Sequence, residues 1–85
     1  MRPNPFPRSV ALAYRLNRKV QVDCAIFDAS GRLIRNLYVG SQNAGEQTLT
    51  WDRKDGQGRN VNAGVYFARL SADRQTTQVK LVVLE

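Results

Sequence analysis

From Val10 onward, apolar and polar side chains alternate with a period of two. Val10, Leu12, Tyr14 and Leu16 fall on one side of an extended segment, and Ser9, Ala11, Ala13 and Arg15 fall on the other. This is the periodicity of a strand with one face against a core. Asn17, Arg18 and Lys19 interrupt the run; Val20, Val22, Cys24 and Ile26 then resume it, with Gln21, Asp23 and Ala25 between them. Residues 28–31 carry turn chemistry, because Asp28 can bond its own downstream backbone and Gly31 accepts a positive φ. A third strand is expected over residues 32–38, where Leu33, Ile34 and Leu37 break strict alternation and predict a bulge or an edge position. Residues 40–45 read as a loop. The fourth strand, residues 47–52, puts Leu49 and Trp51 on one face. Gly64 opens a fifth, in which Tyr66, Ala68 and Leu70 share a face, and a turn over residues 71–74 leads into a last strand, residues 75–84, with Val79, Leu81 and Val83 on one side. Six strands emerge, with a seventh near Val61.

No segment shows helical periodicity, and turn signals recur every few residues. The economical architecture is therefore all-β, an antiparallel sandwich of about seven strands, with a small barrel as the alternative. At 85 residues the chain has room for one core. Pro3, Pro5 and Pro7 stiffen the lead-in, so residues 1–8 read as the end of a linker and residues 9–85 as the domain. The net charge of +6 suits an acidic partner, yet the cations run from Arg2 to Lys80 without a block, which favours a solvated surface and no nucleic-acid role.

The chemistry available is narrow. There is no histidine, which removes imidazole acid–base chemistry and metal ligation. Cys24 is the only cysteine and sits between Val22 and Ile26, the setting of an inert core thiol. Asp52, Asp55 and the nearby glycines lack the spacing of a calcium loop, so a turn is expected there and no metal or cofactor is required. Trp51 and Tyr66 belong to apolar faces and are expected in the core, leaving Tyr38 and Phe67 as the exposed aromatics. Gly64 is expected to supply a positive φ or a close backbone approach. An enzyme is the least favoured class. The chain has no stretch long and apolar enough for a signal peptide or a membrane span, so export would depend on a signal outside it.

The ordered set Asn4-Pro5-Phe6, Ile26-Phe27-Asp28, Gly31-Arg32, Leu49-Thr50-Trp51-Asp52, Gly64-Val65-Tyr66-Phe67, Arg69-Leu70 and Lys80-Leu81-Val82-Val83-Leu84 resembles the C-terminal sorting domain of type IX secretion cargo. It is similar also to the immunoglobulin-like module of the flagellar hook-capping protein. The resemblance runs from Asn4 to Glu85. It implies an immunoglobulin-like sandwich at the end of a secreted multidomain protein, often an extracellular enzyme, that is read by an outer-membrane export machine and attached to the cell surface. Two departures are visible: residues 52–61 are long and closer to the hook-capping version, and Glu85 stands where the sorting family often ends in a basic residue.

On that resemblance the expected partners are the secretion and attachment machinery and the upstream domains of the parent, with polysaccharide contact as a further option and the module itself a monomer. The recognition residues would be Lys80, Leu81, Val82, Val83 and Leu84. Lys80, Val82 and Leu84 alternate with Val79, Leu81 and Val83, so both faces of the last strand are largely apolar. Either a partner, another domain or the other sheet's edge covers the second face, or the strand is central and buried on both sides. A carbohydrate-binding module and a hook-capping assembly module are the rival functions.

Overall fold

The computed structural model describes residues 8–85; Asn4, Pro5 and Phe6, and most of the proline-rich lead-in, lie outside the described residues. Six antiparallel strands run in chain order: β1 (Val10–Leu16), β2 (Val20–Asp28), β3 (Leu33–Gln42), β4 (Gly45–Trp51), β5 (Gly64–Ala72) and β6 (Gln75–Val83). They form two sheets, β1-β4 and β3-β2-β5-β6, packed face to face as a sandwich.

The inward residues are those the alternation selects. Val10, Leu12 and Trp51 from the small sheet meet Cys24, Ile26, Tyr66, Ala68, Leu81 and Val83 from the large one in a single core. Leu16 and Val22 are buried as well. Trp51, the bulkiest of the fully buried side chains, packs edge-on against Tyr66 at 5.6 Å between ring centroids. That arrangement adds to the apolar burial of both rings. Cys24 is buried as expected, and desolvation pushes its thiol up to about 11, so it stays protonated and unreactive at neutral pH.

Strand β3 settles both alternatives at once. It lies at the edge of its sheet, and its register against β2 slips between Cys24 and Ala25 and again between Ile26 and Phe27. Leu37 and Ile34 are the two residues skipped in the pairing. The first slip lets the consecutive Leu37 and Tyr38 both pack against the core, and the second turns Ile34 inward while Leu33 stays exposed on the outer face. Strand pairing also extends through Gln42, so the loop expected over residues 40–45 shrinks to Asn43 and Ala44; Gly40 is a strand residue whose missing Cβ leaves room for the Tyr38 ring.

The expected strand near Val61 does not form. Its backbone makes one bridge, Asn60 to Lys54, and one bond from Val61 N–H to the Arg53 carbonyl at 2.9 Å. The intervening chain is committed to a tight turn around Asp55, which prevents the register from continuing. Six strands, rather than about seven, are found among the described residues.

All six strands turn at the same two ends. One end, here called the upper, holds the β1–β2, β3–β4 and β5–β6 connections. The β5–β6 hairpin is a two-residue turn with Asp73 and Arg74 both at positive φ (51° and 67°) between the paired Ala72 and Gln75. This is the twist-compatible type I′ geometry. The lower end holds the β2–β3 turn and the longer segment between β4 and β5.

Candidate functional site

The lower end is built from side chains that bond to backbone. Asp28 Oδ1 accepts the N–H groups of Ser30 (2.9 Å) and Arg32 (3.0 Å), while Gly31 N–H donates to the Asp28 carbonyl at 3.0 Å with Gly31 at φ 91°. Asp55 repeats the arrangement. Its Oδ1 accepts from Gln57 (2.9 Å) and Arg59 (3.1 Å), and Gly58 N–H donates to the Asp55 carbonyl at 3.0 Å with Gly58 at φ 82°. The two segments read Asp-x-x-Gly-Arg, at 28–32 and 55–59. Donation from the Ser30 hydroxyl and the Arg32 N–H holds the Asp28 carboxyl below its usual range, and donation from the Arg59 and Gln57 N–H groups does the same for Asp55. Asp55, one of the two aspartates weighed for a calcium loop, thus organises a turn, and the matching turn at Asp28 accounts for Gly31 and Arg32. Gly56 N–H donates to the Ile34 carbonyl at 3.1 Å and ties the second turn to the start of β3.

Trp51, Asp52, Gly64 and Tyr66 share this end. Trp51 Nε1 donates to the Lys54 carbonyl at 2.9 Å, which gives the buried indole its one necessary partner. Asp52 Oδ1 accepts from the Arg35 guanidinium at 2.7 Å and from Lys54 N–H at 3.2 Å. Gly64 opens β5 at φ 149°, where a side chain would be strained although the space is open. Tyr66 donates its hydroxyl to the Asn62 carbonyl at 2.7 Å, a bond to backbone four residues upstream of the kind that fixes corners in immunoglobulin-like sandwiches.

Arg53 is the residue the sequence did not single out. At φ 54°, it donates from Nη1 to the Leu84 carbonyl (2.8 Å) and from Nη2 to the Val61 carbonyl (3.0 Å), clamping the end of the last strand to the β4–β5 segment. No local pattern marks such a role, because both acceptors are main-chain carbonyls distant in sequence. The doubled Asp-x-x-Gly-Arg string, by contrast, was available to inspection.

The recognition candidates occupy β6 and its exit. Leu81 and Val83 point inward and are buried, Val79 packs against the core, and Lys80 and Val82 lie on the outer face. Leu84 follows the strand and is 42% exposed. Among the described strands, β6 pairs with β5 alone, so it is not the central, doubly buried strand that was one alternative. Its outer face continues a cross-strand row in which Leu33, Phe27, Phe67 and Lys80 stand side by side on β3, β2, β5 and β6. Of the aromatics expected at the surface, Phe67 lies half-buried in this row. Tyr38 is half-buried too, but it packs against the core because the β3 bulge rotates it inward.

Among the described residues the geometry presents a thiol kept protonated, two aspartates engaged in turns, and a sheet face with apolar and cationic side chains. Over residues 8–76 the chain matches the family model described as the FlgD Ig-like domain. It is 37% identical over 59 residues to the basal-body rod modification protein FlgD of Salmonella typhimurium, a match covering 69% of this chain and 25% of that protein. The chain thus spans about a quarter of the length of this curated relative. The crystal structure of FlgD from P. aeruginosa superposes with a TM-score of 0.64 at 25% identity, over 85% of this chain and 57% of that one. Dimeric latent PorU from Porphyromonas gingivalis superposes with a TM-score of 0.73 at 19% identity, over 99% of this chain and 9% of that one, a likeness of fold. FlgD Ig-like domains are non-catalytic modules that work outside the cytoplasm. By sequence model, by curated relative and by fold, the chain belongs to the FlgD Ig-like domain family.

Proposed function

We propose that the chain is a sorting and cell-surface attachment module of a secreted multidomain protein, read by type IX export machinery through its folded surface and its last strand. The observation that carries this reading is the position of β6 at the margin of the described sheet, with Lys80 and Val82 on its outer face and Leu84 exposed beyond it. Extended recognition of a strand combines main-chain bonds for affinity with alternate side chains for selection. The fold shared with PorU, a type IX-associated protein, is consistent with that setting. The test is a signal-peptide fusion of a reporter to this chain in a type IX-competent bacterium. Surface display is expected, with Lys80→Glu/Val82→Ser stranding the reporter in the periplasm while the domain stays folded; display unchanged by the double variant refutes the role.

A second reading is assembly into a flagellar rod or hook structure, favoured by the 37% identity to a basal-body rod modification protein. Complementation separates the two, because this domain grafted in place of the corresponding segment of FlgD should restore motility only under the second reading.

A further inference from the structure

We propose that the outer face of the four-stranded sheet, centred on the Leu33, Phe27, Phe67 and Lys80 row, is a docking face for an acidic, apolar protein surface. The proposal deepens the docking role above by naming the chemistry of the partner. Phe27 and Phe67 are register partners, flanked by Leu33, which is 48% exposed, and by the neighbouring Val65 and Val82 pair. Four strands thus present a continuous apolar band on the side facing away from the core. Large aromatics ringed by aliphatic side chains are the composition of a protein interface core.

Charge selects the partner. Arg69 lies over the Phe27 ring at 4.4 Å, and Lys80 stands beside Phe67. Arg69 and Lys80 form no ion pair among the described residues, as Lys19, Lys54, Arg59 and Arg74 do not; what sets these two apart is their place beside the Phe27 and Phe67 rings. A guanidinium held by its face against a ring keeps its edge donors for an incoming carboxylate. The acid on this outer face, Asp23, is one pair along from Arg69, whose partner across the sheet is Ala25, and the two form no ion pair; Arg69 lies instead toward the Phe27 ring. A second copy of the chain brings a net charge of +6 and another such pair of cations, so like charges would meet. A polysaccharide, which is polar along its length, would leave the aliphatic rim of Leu33, Val65 and Val82 unmatched. An acidic protein surface with apolar side chains satisfies both halves of the face.

The test is a residue-resolved NMR titration of the chain with a random glutamate–tyrosine copolymer, run beside polyglutamate and polygalacturonate. Amide shifts are expected to centre on Phe27, Phe67, Arg69 and Lys80. Phe67→Ser and Lys80→Glu should each weaken binding by about tenfold, the effect of losing one interface anchor. Thr48→Glu, on the outer face of the other sheet, should bind like the parent. Trp51 fluorescence reports that the variants remain folded. Shifts centred elsewhere, no binding, polyglutamate or polygalacturonate binding as tightly as the copolymer, or self-association abolished by Phe67→Ser would each overturn the proposal. Because no export machinery is involved, a negative result here leaves the reporter experiment to judge the sorting role by itself.

Discussion

The two ends of the sandwich hold the same six strands by different means. At the upper end, side chains mainly pair directly with one another: Arg18 with Asp73, Arg15 with Glu46 at 3.2 Å, and the Tyr14 hydroxyl with Gln42, beside the exposed bonds from Tyr38 and Gln47 to the loop carbonyls of Ser41 and Asn43. At the lower end, beside the Arg35–Asp52 and Arg32–Asp28 ion pairs, side chains mainly meet backbone: Trp51, Arg53 and Tyr66 donate to the carbonyls of Lys54, Leu84, Val61 and Asn62, and two aspartates organise their own turns. Exposed ion pairs contribute little because two flexible side chains must be ordered in a strongly screening medium. A bond from a buried side chain to a carbonyl satisfies an acceptor that would otherwise be costly. Stability should therefore be concentrated at one end, leaving the other tolerant of change.

Substitutions can test that contrast in order of size. Trp51→Ala removes the largest core side chain and its bond to Lys54, and should cost about 3–5 kcal/mol in urea unfolding. Tyr66→Phe keeps the ring packing and loses the bond to Asn62, so about 1 kcal/mol is expected from the same measurement. Arg74→Gly, at the upper hairpin, should instead stabilise by about 0.5 kcal/mol. It relieves a left-handed strain of about 1–2 kcal/mol but gives part of that back to the freer unfolded chain. Arg18→Ala should move the unfolding midpoint less than any of these, and an equal loss at Arg18 and Tyr66 would erase the contrast between the ends.

Acid titration sharpens the comparison further. Asp28, Asp55 and Asp73 all have carboxyl groups held below the ordinary 3.8 in the fold, the first two mainly by hydrogen bonds within their turns and the third by Arg18. A depressed folded value stabilises the native state above the unfolded value, and that stability is lost as pH falls through the lower folded values. Thermal melts should therefore weaken below about pH 3.8. Added salt should weaken the Asp73 share, which depends on an exposed pair with Arg18, more than the shares of Asp28 and Asp55, whose bonds are local and geometric.

What could be read beforehand follows from what period two encodes. Alternation identified the core members Val10, Leu12, Cys24, Ile26, Trp51, Tyr66, Ala68, Leu81 and Val83, because burial on one face is a property of neighbouring positions. The broken alternation of Leu33, Ile34 and Leu37 marked β3 correctly as an irregular strand at an edge. The seventh strand failed for a reason alternation cannot carry: Val61 looks like the start of a strand, but Asp55 and Gly58 had already turned the chain. Arg53 was invisible because a guanidinium that bonds carbonyls 8 and 31 residues away leaves no periodic trace. Which residues face outward could be inferred. That Leu33, Phe27, Phe67 and Lys80 form one row could not, because register depends on the bulges as well as on the pattern.

Strands β1 and β6 belong to different sheets, yet the first begins and the second finishes at the lower end, where Val10 opposes Trp51 and Val83 opposes Gly64. Tension applied between the two ends of the chain would therefore peel β1 from β4 and β6 from β5 one rung at a time, instead of sliding whole ladders past each other. Under such a load the Arg53 grip on Leu84 is the first fastening met on the C-terminal side, and its rupture would set the force at which the module begins to yield.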